Sequence, residues 1–349
     1  MLLRSRLKKE LVNLWTLKNN RIIRMIIILL LGCGLYLIID NKMPEDNNLS
    51  SGTSVARSYM EKINNSLNVE NYKYNSLDFS FKNKPLKACH YNFVDNIEFP
   101  KDMYPQGICF TEKYLFVTMY SQEKNTMGKV MIYDKFSYEY VLSLVMDVKS
   151  HLGGIAYDGN NLWICNSSKM SIERISYSFV CDAVNKHKGH VVDIRNLIEA
   201  YKVNVIPSCI TFFDDRLWIA THTKITNSEM MTYRFSKDEN LLKYDSIYHI
   251  QSKVQGLVFE KNGRVILSTS YGRKKSSYLK IYESAEEMSK NIDKYVKKIE
   301  MPPCSEGIAI NEDKYYVVFE SAGEKYLEGT DGKGKSIAPL DRILVIDPS

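Results

Sequence analysis

Five stretches of the chain repeat one order of apolar and polar positions. They are YPQGICFTEKYLFVTMY at 104–120, HLGGIAYDGNNLWICNS at 151–167, IPSCITFFDDRLWIATH at 206–222, VQGLVFEKNGRVILSTSY at 254–271 and CSEGIAINEDKYYVVFES at 304–321. Each opens on a small residue and runs through a short apolar segment. A polar turn follows, such as Asp158-Gly159-Asn160-Asn161 or Lys261-Asn262-Gly263, and then a second apolar run. Short apolar runs joined by Asp, Asn and Gly predict β-hairpins. The second runs are close copies, as in Leu162-Trp163-Ile164 and Leu217-Trp218-Ile219.

The small residues that open the hairpins are Gly107, Gly154, Cys209, Gly256 and Gly307, spaced 47, 55, 47 and 51 residues apart. Every interval has room for a third strand, at 129–134, 172–177, 231–235, 278–282 and 342–347, and for a fourth. Four antiparallel strands in each repeat of about fifty residues describe the blade of a β-propeller. The last repeat ends after its third strand, at Asp347. Its outer strand is expected from residues 88–99 (ACHYNFVDNIEF), a closure that leaves no free sheet edge. The expected fold is therefore all-β, a β-propeller of five four-stranded blades within residues 76–349. A six-bladed ring, with a degenerate blade drawn from 69–100, is the alternative. Two stretches break the β pattern. Ile194, Leu197, Ile198 and Tyr201 have helical spacing within 183–205, and Ser284 with Glu287 forms a capping box ahead of Met288, Ile292, Tyr295 and Val296. Both are expected to be helices on the rim.

Ahead of the repeats lies a different pattern. Met25–Ile39 is uncharged, and Ile22 and Ile23 extend it to the low end of a membrane-spanning length. Basic residues precede this run, whereas Asp40, Glu45 and Asp46 follow it. That asymmetry predicts a transmembrane helix at 25–39, with a cytoplasmic basic tail at 1–24 and the remainder outside. Residues 40–75 read as a polar stalk. The expected location is the cell membrane, single-pass, with the propeller outside. Leu30-Leu31-Gly32-Cys33 resembles a lipoprotein signal, so a lipid anchor at Cys33 is the alternative.

Charge sharpens this reading. The net charge is +6, and residues 1–24 hold seven basic residues against Glu10 alone. The rest of the chain holds forty basic and forty acidic residues, so no basic body exists to grip nucleic acid. With 44% apolar and 25% charged residues, the chain is not disordered. It contains no G-x-S-x-G or H-E-x-x-H sequence. Six cysteines lie outside the apolar segment without a C-x-x-C pair, which argues for buried thiols over a zinc site.

Pro105-Gln106-Gly107-Ile108, Pro207-Ser208-Cys209-Ile210, Val254-Gln255-Gly256-Leu257 and Ser305-Glu306-Gly307-Ile308-Ala309 resemble the inner-strand motif of the NHL, YWTD and senescence-marker-protein (gluconolactonase-like) propellers. In the lactonase-like members, the residue before that glycine points into the central channel and helps hold calcium. The resemblance implies a channel ring of Gln106, Gly153, Ser208, Gln255 and Glu306. One carboxylate among amides and a hydroxyl is a poor calcium site. The ring therefore predicts no metal and no cofactor, with calcium at Glu306 as the exception to test. The ends of the second strands add Tyr120, Asn166, His222, Tyr271, Arg273 and Glu320 as a channel mouth. His222 with Glu306 or Glu320 would make an acid–base pair, and Arg273 with Lys274 and Lys275 would suit an anion. The expected function is a membrane-tethered binding module for a polar small molecule, glycan or protein. The alternative is a lactonase-like hydrolase or lyase at the channel end, which needs two carboxylates or a carboxylate–histidine pair within reach.

Overall fold

In the computed structural model, the described residues are 90–348 except 95, 98, 122–126 and 149–151. They form five sheets. Blade 1 holds β2 (Tyr104–Phe110), β3 (Tyr114–Tyr120), β4 (Met127–Asp134) and β5 (Tyr140–Val148). Blade 2 holds β6 (Leu152–Tyr157), β7 (Asn161–Asn166), β8 (Ser171–Ser176) and β10 (Glu199–Lys202). Blade 3 comprises β11 (Cys209–Phe213), β12 (Arg216–Ala220), β13 (Ser228–Ser236) and β14 (Leu241–Ile250). Blade 4 comprises β15 (Val254–Phe259), β16 (Val265–Thr269), β17 (Ser277–Tyr282) and β18 (Lys297–Met301). In blade 5, β19 (Ser305–Asn311), β20 (Lys314–Phe319) and β21 (Leu344–Asp347) are completed by β1 (His90–Phe93).

The ring closes as its sequence demands. β1 runs antiparallel to β21, with His90 opposite Asp347 and Phe93 opposite Leu344. The segment that a sixth blade would have used thus completes the fifth, so the six-bladed alternative is set aside. Residues 1–89, on which the expected basic tail, 25–39 anchor, Cys33 lipid site and stalk fall, lie outside the described residues. Among those described, no helix is long and apolar enough to cross a membrane.

The opening glycines have a steric cause. The five inner strands touch one another in a circle. A Cβ on Gly154 would lie 2.6 Å from the Ile210 nitrogen and 2.8 Å from the Cys209 Cα, both backbone atoms of the next blade. A Cβ on Gly307 would lie 2.7 Å from the Gln106 carbonyl oxygen, across the closing seam. Register shifts mark the same places, between Pro105 and Gly107, Leu152 and Ile155, Val254 and Gly256, and Ser305 and Ile308. Such bulges leave a residue out of the ladder and turn its side chain. Gln106, Gln255 and Glu306 are the residues skipped at these bulges, so they leave the alternation that feeds the inter-blade core.

The core lies between adjacent blades. Trp163 is fully buried against Tyr201 and Phe235, with its Nε1 donating to Asp158 Oδ2 at 2.7 Å. One blade on, Trp218 packs against Tyr248 and Phe259 and donates to the Phe213 carbonyl at 3.0 Å. The repeated tryptophans are therefore inter-blade wedges. The described cysteines, Cys109, Cys165, Cys181, Cys209 and Cys304, are free thiols, and all but Cys181 are buried.

The rim helices differ from expectation. α1 spans Tyr177–His187, earlier than the sequence spacing placed it, and buries Val180, Ala183 and Val184 at helical spacing. Ile194 to Tyr201 instead follow β9 (Val191–Asp193) as a 3-10 turn and most of β10. β9 adds to blade 1 in parallel with β5, so the insertion bridges two blades. The 3-10 turn at Arg195–Leu197 mimics helical spacing between two short strands. α2 (Ala285–Lys290) starts as expected, with the Glu287 N–H donating to Ser284 Oγ, but stops before Ile292 because Asn291 is extended. Ser284→Ala is expected to cost about 1 kcal/mol, read as a lower urea midpoint. A third helix, α3 (Glu324–Leu327), lies in the insertion between β20 and β21.

Candidate functional site

The bulged ring residues do not stand alone. Glu306 is buried and accepts a hydrogen bond from Gln255 Nε2 at 2.7 Å. Gln106 Nε2 donates to its neighbouring Pro105 carbonyl at 2.9 Å and reaches Glu320 Oε2 at 3.5 Å. Glu320, just past the end of β20, also accepts from Tyr120 (3.4 Å) and Tyr326. Glu320 lies close enough to Glu306 to raise its carboxyl. Blades 1 and 5 thus meet at a carboxyl pair.

A cation lies over this pair. Lys325 of α3 donates to Tyr120 Oη at 2.7 Å, and its Nζ is 3.9 Å from Glu320 Oε2. It lies 4.3 Å from the ring centre of Tyr104 and 4.6 Å from that of Tyr326, inside an aromatic cage. Arg273 caps the cage with its guanidinium 4.4 Å from the Tyr326 ring centre. It is anchored by Asp331 and the Gly334 carbonyl. Tyr104, Tyr120, Cys304 and Tyr326 form one buried cluster. Gly323 admits Tyr104, because a Cβ there would sit 2.2 Å from the ring.

Electrostatics divides the groups. Burial pushes the Glu306 carboxyl well above its ordinary value of 4.5, and the neighbouring Glu320 pushes it further; Gln255 and Lys325 pull it down. The protonated acid is favoured. Burial lowers Lys325, against the pull of Glu320 and Glu306. Desolvation, with Glu320, raises the Tyr326 phenol, and burial raises the Cys304 thiol, which is therefore unreactive.

A raised acid has a signed consequence. Below the unfolded value, folded and unfolded states both carry the Glu306 proton and stability is unaffected. As pH climbs past that value, the unfolded chain ionises while the folded one resists, so stability falls. Glu306→Gln is expected to unfold later than wild type at neutral pH and to match it below about pH 4, the ordinary glutamate range. Denaturation at a series of pH values reads this directly.

The other sequence-derived candidates fall elsewhere. Ser208 and Gln255 remain half-exposed at the ring, and Gly153 contributes no side chain. Asn166 is buried within blade 2, donating to Glu173 Oε1 at 2.8 Å and accepting from the Lys169 N–H. His222 Nδ1 lies 3.1 Å from the Val254 carbonyl, so its hydrogen bond is to backbone rather than to a carboxylate. Tyr271 is exposed beside Lys253 and Lys275, while Arg273 turns the other way into the cage. Tyr104, Lys325 and Tyr326 are additions. The only trace of the latter two in the sequence is the long interval between the second and third strands of the last repeat.

Calcium fits poorly here. Among the described residues, no group of three or more His, Cys, Asp or Glu could hold a metal ion. At Glu306, Gln255 presents N–H rather than oxygen, and the Lys325 ammonium already supplies positive charge.

No family model and no curated protein matches the chain. Solved structures do. The Myxococcus xanthus glutaminyl cyclase structure is 8% identical with a TM-score of 0.44, covering 74% of this chain and 96% of that one. The PQQ-bound aldose sugar dehydrogenase from Streptomyces coelicolor is 12% identical with a TM-score of 0.44, covering 74% and 98%. These likenesses concern chain path alone, and no residue role is taken from them.

Proposed function

We propose that the channel mouth is an acid–base centre for a small polar ligand, and that the protein is a hydrolase or lyase acting at the channel end of a membrane-tethered propeller. One observation carries this reading: two neighbouring carboxyl groups, Glu306 and Glu320, stand beside a buried ammonium and three phenols. Glu306 serves as the proton donor, since its surroundings favour the acid form. Glu320 fixes the orientation of Glu306 and holds Tyr120 and Tyr326 in place. Lys325 and the phenols are donors for negative charge that develops on a ligand oxygen. The ligand enters from the side of blades 2 and 3, where Gly153 and Ser208 are the smallest members of the ring.

The tether rests on the charge asymmetry about residues 25–39, which turns the mouth to the outside of the membrane. A pure binding module is the second reading. It is favoured by the burial of Lys325 and Tyr326, each less than a tenth exposed, as parts of a lid on the mouth.

A panel of lactones, esters, uronates and neutral sugars, assayed for both binding and turnover, separates the two. Turnover by wild type that falls about a hundredfold or more in Glu306→Gln, the scale of general acid catalysis, establishes the enzyme. Binding with no turnover in either protein establishes the module. Neither binding nor turnover across the panel overturns the channel-mouth assignment.

A further inference from the structure

A second cavity, of about 610 Å³, opens beside the start of blade 4. Its wall comes from the link between β14 and β15, the end of β16, and strands β17 and β18. Five lysines line it: Lys253, Lys274, Lys275, Lys280 and Lys298. No Asp or Glu is among its lining residues. Nor does any of the five form an ion pair among the described residues. Instead they lie over aromatic faces: Lys298 is 3.8 Å from the Tyr278 ring centre, Lys253 4.5 Å from that of Tyr271 and Lys280 5.4 Å from that of Tyr295. A charge-balanced body has thus gathered five cations without ion pairs in one concavity, with Lys298 close enough to repel Lys280.

Gln251 in the same wall is the independent pointer. It is 8% exposed, and its Oε1 accepts from Lys280 Nζ. That contact fixes which end of the amide is oxygen, because an ammonium can only donate. The amide's other end, Nε2, is buried and has no hydrogen-bond partner. A buried donor with nothing to donate to, in a cavity of ammonium groups without ion pairs, lacks an acceptor oxygen.

We propose that this cavity binds a ligand carrying two or more phosphate or sulfate groups, with Gln251 Nε2 and Lys280 holding one oxyanion and the remaining lysines the others. The site is separate from the channel mouth. The Tyr271–Lys275 turn divides between them, Arg273 entering the cage while Lys274 and Lys275 line the cavity. The volume exceeds what one inorganic anion fills, and five cations exceed what one anion neutralises.

The test is calorimetric titration of the full-length protein with inorganic pyrophosphate and with a trisulfated heparin disaccharide, each at low and at physiological salt. Saturable binding of either probe is expected, weaker at higher salt. Preference between the probes identifies the phosphorylated or the sulfated source. Lys280→Gln and Gln251→Leu are each expected to weaken binding at least tenfold. The unfolding midpoints of both variants, measured alongside, separate lost binding from lost fold. The absence of saturable binding by both probes would overturn the proposal. So would unchanged affinity in both variants. Neither result bears on the channel mouth, because Glu306→Gln leaves this cavity intact.

Discussion

Gly153→Ala is expected to destabilise the protein by about 3 kcal/mol or more, read as a lower unfolding midpoint. A Cβ on Gly153 would lie 2.1 Å from the Ser208 carbonyl oxygen and 3.0 Å from its carbon. That carbonyl cannot step aside. It accepts the Gly154 N–H at 2.9 Å, while the Ser208 N–H is tied to the Ala220 carbonyl. Relief requires moving β11 as a unit, and β11 is held by blade 3 and by its contact with β15. Overpacking of ordinary cores costs about 1–3 kcal/mol, and a clash between backbones belongs at or above the upper end. Gly159→Ala is the control. Its Cβ would meet nothing within 4 Å, but φ is +91°. It should therefore lose only about 1 kcal/mol, the conformational share. Equal midpoints for the two variants would show that the inner strands are not in the contact described.

Lys325→Met is expected to be the most damaging single change at the mouth that introduces no steric clash. Methionine keeps an unbranched side chain but removes the ammonium from above Glu320 and Glu306. Deleting one partner of a buried ion pair costs about 3 kcal/mol or more, because the survivor keeps its desolvation penalty. For a domain of this size each 1 kcal/mol lowers Tm by about 2–4 °C, so a fall of roughly 6–12 °C is expected. A Tm within about 2 °C of wild type would show that the ammonium does not hold the carboxyl groups. Lys325→Arg separates charge from shape: it preserves the charge but not the fit within the tyrosine cage.

Much of the architecture was legible in the residues. The hairpins, four of them Gly-led, pointed to five blades with six left open, because the glycines are imposed by contact between inner strands, a local requirement that recurs around the ring. Closure by residues near 90 followed from the missing outer strand of the last repeat. The rim helices were less legible. Ile194–Tyr201 carries a helical spacing that a 3-10 turn between strands also produces, and the helix at Tyr177–His187 begins on β-favouring residues directly after a strand. For the site, the resemblance to lactonase-like propellers led to Gln106, Gln255 and Glu306, and the ends of the second strands to Tyr120, Arg273 and Glu320. Lys325 and Tyr326 were illegible because they sit in an insertion with no counterpart in the other repeats. Their importance arises only when that insertion folds back over the seam between blades 1 and 5. Tyr271 and Arg273, adjacent but for one glycine, end in different environments, which no spacing rule discloses.

The central claim is that the channel mouth is built around an acid that keeps its proton at neutral pH. Infrared difference spectroscopy between wild type and Glu306→Gln at neutral pH reads that proton without knowledge of the ligand. The account predicts a protonated-carboxyl C=O band in wild type that is missing from Glu306→Gln. Wild type with no such band would contradict it.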